Sequence, residues 1–200
     1  EICRKHKVLV ISDEIHQDFT YGHHHIPTAV LEGGRYRDQT ITLNSASKSF
    51  NIAGLTHCHI IISEASLRHQ YDAFAKTIFQ TEPNLMGMLA TEAAFQAGQA
   101  WLDGVKEVIY HNYREVFTAF EQRAPEVIVS PLEGSYLVFI DLRQVLDPSE
   151  VKTFIQDRCG LAVDYGEWFG ENYVGFIRLN LATKPDYIQQ AVDQIISHLN

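Results

Sequence analysis

Short apolar runs and longer stretches of helical periodicity alternate along the first half of the chain. Lys7–Ser12 reads K-V-L-V-I-S. Four consecutive apolar residues, mostly β-branched, predict a strand covered on both faces, as in a parallel sheet. Thr40–Leu43 and His59–Ile62 predict two further strands, the connection between them being too long for a tight hairpin. Ser66–Phe79 carries apolar residues at 67, 71, 74 and 78, which is helix spacing with Ser66 as its N-cap. Pro83–Ala97 predicts a second helix, rich in Ala and Met. Trp101–Phe120 predicts a long one, its apolar stripe running through 101, 105, 108, 109, 113, 116, 117 and 120.

After Ala124-Pro125 the pattern changes. Val127–Val129 and Tyr136–Leu142 predict strands joined through the turn at Pro131–Gly134. Pro148–Cys159 predicts a helix and Leu161–Val163 a short strand. Phe176–Leu181 alternates as a half-buried strand, and Pro185–Leu199 opens with a proline that the first helical turn tolerates. The whole reads as α/β: sheet and helices first, then a compact α+β unit, with the long helix bridging them. The expected division is 1–115 and 116–200.

Composition narrows the partners. The chain has 200 residues, 46% hydrophobic and 20% charged, enough apolar surface for a sizeable core. A net charge of −9 argues against a nucleic-acid groove or an anionic membrane surface. Cys3, Cys58 and Cys159 are scattered and odd in number, which points away from a disulfide framework or zinc site and toward a reducing, cytoplasmic setting. No apolar run reaches the length of a membrane span. The charged stub Glu1–Lys7, without an initiator Met, leads straight into a strand, so the chain is expected to begin inside a domain.

The candidate chemistry centres on Asn44–Leu55, N-S-A-S-K-S-F-N-I-A-G-L. No Asp or Glu lies between Gln39 and Ser63, so Lys48 does not read as half of a helical ion pair. An amine held among small residues at a strand end is desolvated, and a neutral amine condenses with aldehydes. An ordinary exposed lysine in a polar loop is the competing reading. Asp13 and His16 follow the first strand, at the edge where open α/β sheets bind ligands. Asp13 also suits a turn or cap, and His16 a hydrogen-bonded loop histidine. Arg178 lies on the open face of its strand, as a surface charge or as a carboxylate clamp. His23, His24 and His25 alternate in direction and cannot all face one ion, so a solvated loop is expected there and no metal is assigned.

S-D-E-I-H, S-x-S-K-S-F-N-I-A-G-L, P-L-E-G-S-Y-L-V-F-I-D-L-R and F-I-R-L-N-L-A together resemble the fold-type I pyridoxal-phosphate enzymes. Within them, they resemble the MalY/PatB-type cystathionine β-lyases of the class I/II aminotransferase family. W-L-D at 101–103 and the F-G-E of Phe169–Glu171 agree with that branch, and the likeness runs over essentially the whole chain.

The resemblance implies a role for each residue. Lys48 matches the lysine that carries pyridoxal 5'-phosphate, and Asp13 the partner of the pyridine nitrogen. His16 falls where aminotransferases carry a tyrosine on the ring's 3-oxygen. Ser45 matches the phosphate-side serine, with Ser47 as a helper, and Arg178 matches the substrate-carboxylate clamp. Thr56 stands where ordinary aminotransferases place a phosphate-binding arginine, which again favours the lyase branch. Further implications are a small amino-acid substrate, a homodimer, and a chain corresponding to the C-terminal half of such an enzyme. On that basis 1–115 is the end of the cofactor-binding large domain and 116–200 the small domain. The implied reaction is carbon–sulfur β-elimination to pyruvate, ammonia and a thiol. A plain aminotransferase and an inert half-chain are the two rivals.

Overall fold

The computed structural model describes residues 1–80 and 82–199. Packing divides the chain into two compact units, Glu1–Leu102 and Asp103–Asn200.

The first unit contains, in order, α1 (Ile2–Lys5), β1 (Val10–Asp13), α2 (Leu31–Gly34), β2 (Thr40–Asn44), α3 (Ala46–Ser49), β3 (His59–Ile62), α4 (Ala65–Thr77) and α5 (Leu85–Ala97). The sheet order is β1-β2-β3; β1 and β2 are parallel, β2 and β3 antiparallel. Parallel pairing demands a long crossover, and residues 14–39 supply it. Asp13 pairs with Leu43, so β1 and β2 finish at the same edge. The antiparallel return from β2 to β3 is where α3 and Lys48 lie.

The strand expectation is corrected in one respect. Ile11 is 67% exposed, and Val8, Leu9, Ile60 and Ile61 are also exposed. Successive strand side chains point to opposite faces, so a strand of this composition needs a layer on each, and the described residues leave these side chains open. The buried positions of β2 are Thr40 and Thr42; Thr40 Oγ1 donates to the Tyr36 carbonyl at 2.9 Å. Helix α4 is capped by Glu64, which accepts from Leu67 N–H at 2.6 Å. The expected cap, Ser66, instead donates its hydroxyl to Glu64.

Helix α6 (Gln99–Arg123) spans the division. The second unit continues with β4 (Ile128–Val129), β5 (Leu137–Asp141), α7 (Val151–Thr153), β6 (Asp164–Tyr165), β7 (Phe176–Asn180) and α8 (Pro185–Leu199). Its antiparallel sheet has the order β4-β5-β7-β6. The expected helix over Pro148–Cys159 is broken into a 3₁₀ turn, the short α7 and a π-helical stretch at Phe154–Arg158. The strand expected at Leu161–Val163 is shifted to Asp164–Tyr165.

The register matches Val138 with Leu179 and Ile140 with Ile177, so these four side chains share one buried sheet face. Ile188, Ala191, Val192, Ile195 and Ile196 form the buried stripe of α8, at the spacing an amphipathic helix requires. Ile109, Val116 and Phe120 of α6 complete the core. Each fully buried aliphatic side chain contributes roughly 1.5–3 kcal/mol.

One polar residue is set inside this unit. Asn112, 0% exposed, donates through Nδ2 to the carbonyls of Leu181 and Thr183 at 2.8 and 2.9 Å. It fastens α6 to the chain between β7 and α8, where both carbonyls have left the ladder. Asn112→Ala is expected to destabilise the fold by about 1–3 kcal/mol for each carbonyl left unpaired, read as a lower urea midpoint with little change in slope.

Candidate functional site

Lys48 is the third residue of the one-turn helix α3, and Ser45 holds that helix in place. Ser45 is extended, with φ −162° and ψ 148°, and its Oγ accepts Ser47 N–H at 3.0 Å as an N-cap should. The same hydroxyl donates to the His57 carbonyl at 2.6 Å, tying α3 to the segment that enters β3. Asn44 Oδ1 accepts Ser45 N–H at 2.6 Å. Ser49, with 0% exposure, donates to Asp18 Oδ2 at 2.5 Å. That bond fixes the Lys48 turn to the loop that follows β1.

The lysine itself is half-buried, with no hydrogen bond or ion pair to any described residue. The hydroxyl of Ser47 is likewise unengaged among the described residues, whereas the proton of Ser45 Oγ is directed at His57. Asp13, the last residue of β1, is exposed. Its Oδ1 accepts Ile15 N–H at 3.2 Å, and no described cation pairs with it. His16 is half-buried, its ring 6.3 Å from that of Phe19. The first unit thus carries Asp13 and His16 on the loop leaving β1, and Ser45, Ser47 and Lys48 on the turn leaving β2, with Asp18–Ser49 joining the two segments.

Thr56 lies at the end of the loop in a left-handed conformation, φ 45° and ψ 55°. That region disfavours β-branched residues and stores roughly 1–3 kcal/mol. Nearby, α5 approaches so closely that a Cβ at Gly87 would lie 2.7 Å from His57 Cβ.

A second network lies beneath Asp13. Glu14 is buried; Oε1 accepts from Ser12 Oγ and Thr28 N–H, each at 2.9 Å, and Oε2 is 3.0 Å from His25 Nε2. Burial pushes the Glu14 carboxyl up, but the His25 bond, the Thr28 N–H and the Ser12 hydroxyl together hold it below its ordinary value of 4.5. The solvated-loop expectation for the three histidines is therefore corrected at His25, which is half-buried on Glu14; His23 and His24 are exposed. Among the described residues no group of three or more His, Cys, Asp or Glu could hold a metal.

In the second unit, Arg178 sits directly opposite Asp164 across β6 and β7. Its Nε and Nη2 donate to Asp164 Oδ2 at 3.0 and 2.5 Å, and the guanidinium carbon lies 4.5 Å from the centroid of the Phe169 ring. Arg178 thus lies on the half-exposed face of β7, as the alternation predicts, and is ion-paired there with Asp164. The loop bearing Phe169 follows β6 through Gly166, where a Cβ would lie 2.0 Å from the Tyr173 carbonyl oxygen. Sequence reasoning missed Glu14, Asp18, Ser49 and Asp164; the only local trace was the S-D-E-I-H run itself.

Two measurements test this geometry. A carboxyl depressed on folding stabilises above its unfolded value and loses that contribution as pH falls through the folded one. The wild-type melting temperature is therefore expected to drop below pH 4.5, and Glu14→Gln to flatten that part of the profile. Thr56→Asn, which tolerates the left-handed backbone, is expected to raise stability by about 1 kcal/mol in a denaturant titration.

The chain matches the family described as aminotransferase class I and II over residues 1–195. It is 31% identical over 202 residues to the cystathionine β-lyase PatB of Bacillus subtilis strain 168, covering 100% of this chain and 52% of that protein. It is 30% identical to the protein MalY of Escherichia coli K12, covering 98% and 50%. The structure superposes on cystalysin from Treponema denticola, which contains a pyridoxal 5'-phosphate cofactor, with a TM-score of 0.91, 32% identity and coverage of 99% and 50%. The chain spans about half the length of these relatives. A match over residues 1–195, with a superposition that covers 99% of the chain, leads to one conclusion: this chain belongs to the class I and II aminotransferase family.

Proposed function

We propose that the protein carrying these residues is a pyridoxal-phosphate-dependent carbon–sulfur β-lyase, acting on cysteine- or cystathionine-type amino acids. The observation that carries the reading is a half-buried lysine without a hydrogen-bond or ion-pair partner among the described residues, on the turn that leaves the same sheet edge as a carboxylate without a cation. An unengaged amine and an uncompensated acid are the two groups that a pyridine aldehyde requires, so the residues present fit this cofactor. The lyase and cofactor-bearing relatives support the choice of chemistry.

Lys48 would hold the cofactor, with Asp13 at the ring nitrogen, His16 at the ring's 3-oxygen, and Ser45 and Ser47 on the phosphate side. When bound, the group supplies an aldehyde carbon for the substrate amine and a ring that withdraws electrons from the α-carbon. The Lys48 amine would take the proton from the substrate α-carbon, acting as general base. Asp13 would keep the ring nitrogen protonated by offering it a negative charge. Arg178 binds the substrate carboxylate with its planar fork. Loss of a thiolate from the β-carbon would leave 2-aminoacrylate, whose imine tautomer water hydrolyses to pyruvate and ammonia. In this reading 1–115 belongs to the cofactor-binding domain and 116–200 to the small domain of a cytoplasmic homodimer. The three free cysteines agree with a reducing compartment.

The family match favours a second reading, transamination, in which the amino group passes to a keto acid. The test uses the full-length protein. Pyruvate release from cystathionine, without transfer to added keto acids, is expected, and Lys48→Ala is expected to lower it by roughly 10²–10⁴-fold. Borohydride reduction should fix the cofactor on the peptide containing Lys48. Transfer without pyruvate would select the second reading, and reduction that labels no lysine in Asn44–Leu55 would defeat both.

A further inference from the structure

Phe50 closes the Lys48 turn. It is the C-terminal cap residue of α3; its N–H donates to the Ala46 carbonyl at 3.0 Å, and Asn51 beyond it is left-handed, with φ 55°. The ring of Phe50 lies against the junction of α5 and α6. It stacks on Trp101 with centroids 6.1 Å apart and planes at 28°, and it meets Phe95 edge-on, also at 6.1 Å. A Cβ at Gly98, the residue between the two helices, would lie 2.5 Å from Phe50 Cε1. The ring is thus a peg in a notch whose walls are Phe95 and Trp101 and whose floor is open only to glycine. All four residues belong to the first unit. Trp101 is the tryptophan of the W-L-D run. It is 47% exposed, so core packing does not account for its place; its aromatic face serves Phe50.

We propose that Trp101 is a positioning residue for Lys48, acting through Phe50: the α5–α6 junction holds the ring, the ring holds the C-terminal end of α3, and Lys48, two residues before it, presents its amine to an aldehyde in a restricted orientation. This rests on the reading of Lys48 as the cofactor lysine. A four-residue helix cannot hold its own geometry, since nucleation is unfavourable and too few residues follow to repay it. Ser45 fixes the start of the turn and Ser49 its last helical residue. Without the Phe50 stack the end of the turn is free to shift, and the Lys48 stem samples more directions. Orientation of a reacting group within about an ångström governs how often it meets its partner productively, so the loss falls on the rate at which Lys48 condenses.

The test uses the full-length protein freed of bound cofactor, with pyridoxal 5'-phosphate and borohydride as the probe and peptide mass spectrometry as the readout. Nζ joins the aldehyde carbon with loss of water, and borohydride delivers hydride to that carbon, leaving a stable secondary amine on each labelled lysine. Lys76 and Lys184, both exposed, serve as internal references. In the wild type Lys48 is expected to label faster than either. Trp101→Ala and Phe50→Leu are each expected to slow Lys48 roughly 10- to 100-fold, with the reference lysines unchanged and the thermal transition still cooperative. Because both remove one contact, the double variant should lose no more than the larger single loss. Trp101→Phe, which keeps an aromatic face, should recover most of the wild-type rate, and Trp101→Leu replaces the Ala variant if that one fails to fold. Equal Lys48 rates in the wild type and the single variants, losses that add in the double variant, or a slowing shared by Lys76 and Lys184 would each overturn the positioning role and leave the Lys48 reading standing. A wild-type Lys48 no faster than the references would overturn both.

Discussion

Two hydrogen bonds converge on Ser45 Oγ, one from Ser47 N–H and one to the His57 carbonyl, and the position of Lys48 follows from them. A helix of one turn has no cooperative stability of its own, because nucleation is unfavourable and only propagation repays it. Helix α3 exists because its first turn is capped at one end and fastened to β3 by the same oxygen. Ser49 on Asp18 gives it a second attachment, to the loop beyond β1. The amine of Lys48 is thereby carried on a short element with little freedom, and a proton-transfer group must be held within hydrogen-bonding reach of its target.

The main elements were legible because they depend on local pattern. Apolar runs located β1, β2 and β3, and α8 spans the Pro185–Leu199 expected of the last helix. The lysine segment was legible from composition, since its acid-free surroundings left the amine without an obvious partner. What escaped was pairing at a distance. Ser49 and Asp18 are separated by 31 residues, Glu14 and His25 by 11, Arg178 and Asp164 by 14. No periodicity encodes such separations; the crossover and the strand register create them. The cap of α4 moved from Ser66 to Glu64 for a related reason. A longer carboxylate two residues earlier reaches Leu67 N–H and takes the serine hydroxyl as well. At Phe154–Arg158 the wider π turn replaces the expected α-helix, a change that apolar spacing does not register.

The exposed isoleucines of the first unit bear on the same point. Composition announced a sheet covered on both sides, while the described residues cover it only in part. The second unit has its own two-sided logic. One face of its sheet is aliphatic and buried; the other presents Phe139, Arg178 and Asp164 in a row. Strand register alone therefore separates the aliphatic face that stabilises this unit from the face that carries its ion pair.

The aromatic floor under Arg178 depends on a missing methyl. At Gly166 the chain folds back so tightly on the Tyr173 carbonyl that any larger residue would occupy the carbonyl's own volume. Alanine there would lift the whole 167–173 loop, and with it the benzyl group beneath the guanidinium. Without that apolar floor the guanidinium is hydrated on both faces and is held through its bonds to Asp164 alone. The setting of the Arg178 guanidinium is in that sense written by a hydrogen atom twelve residues away.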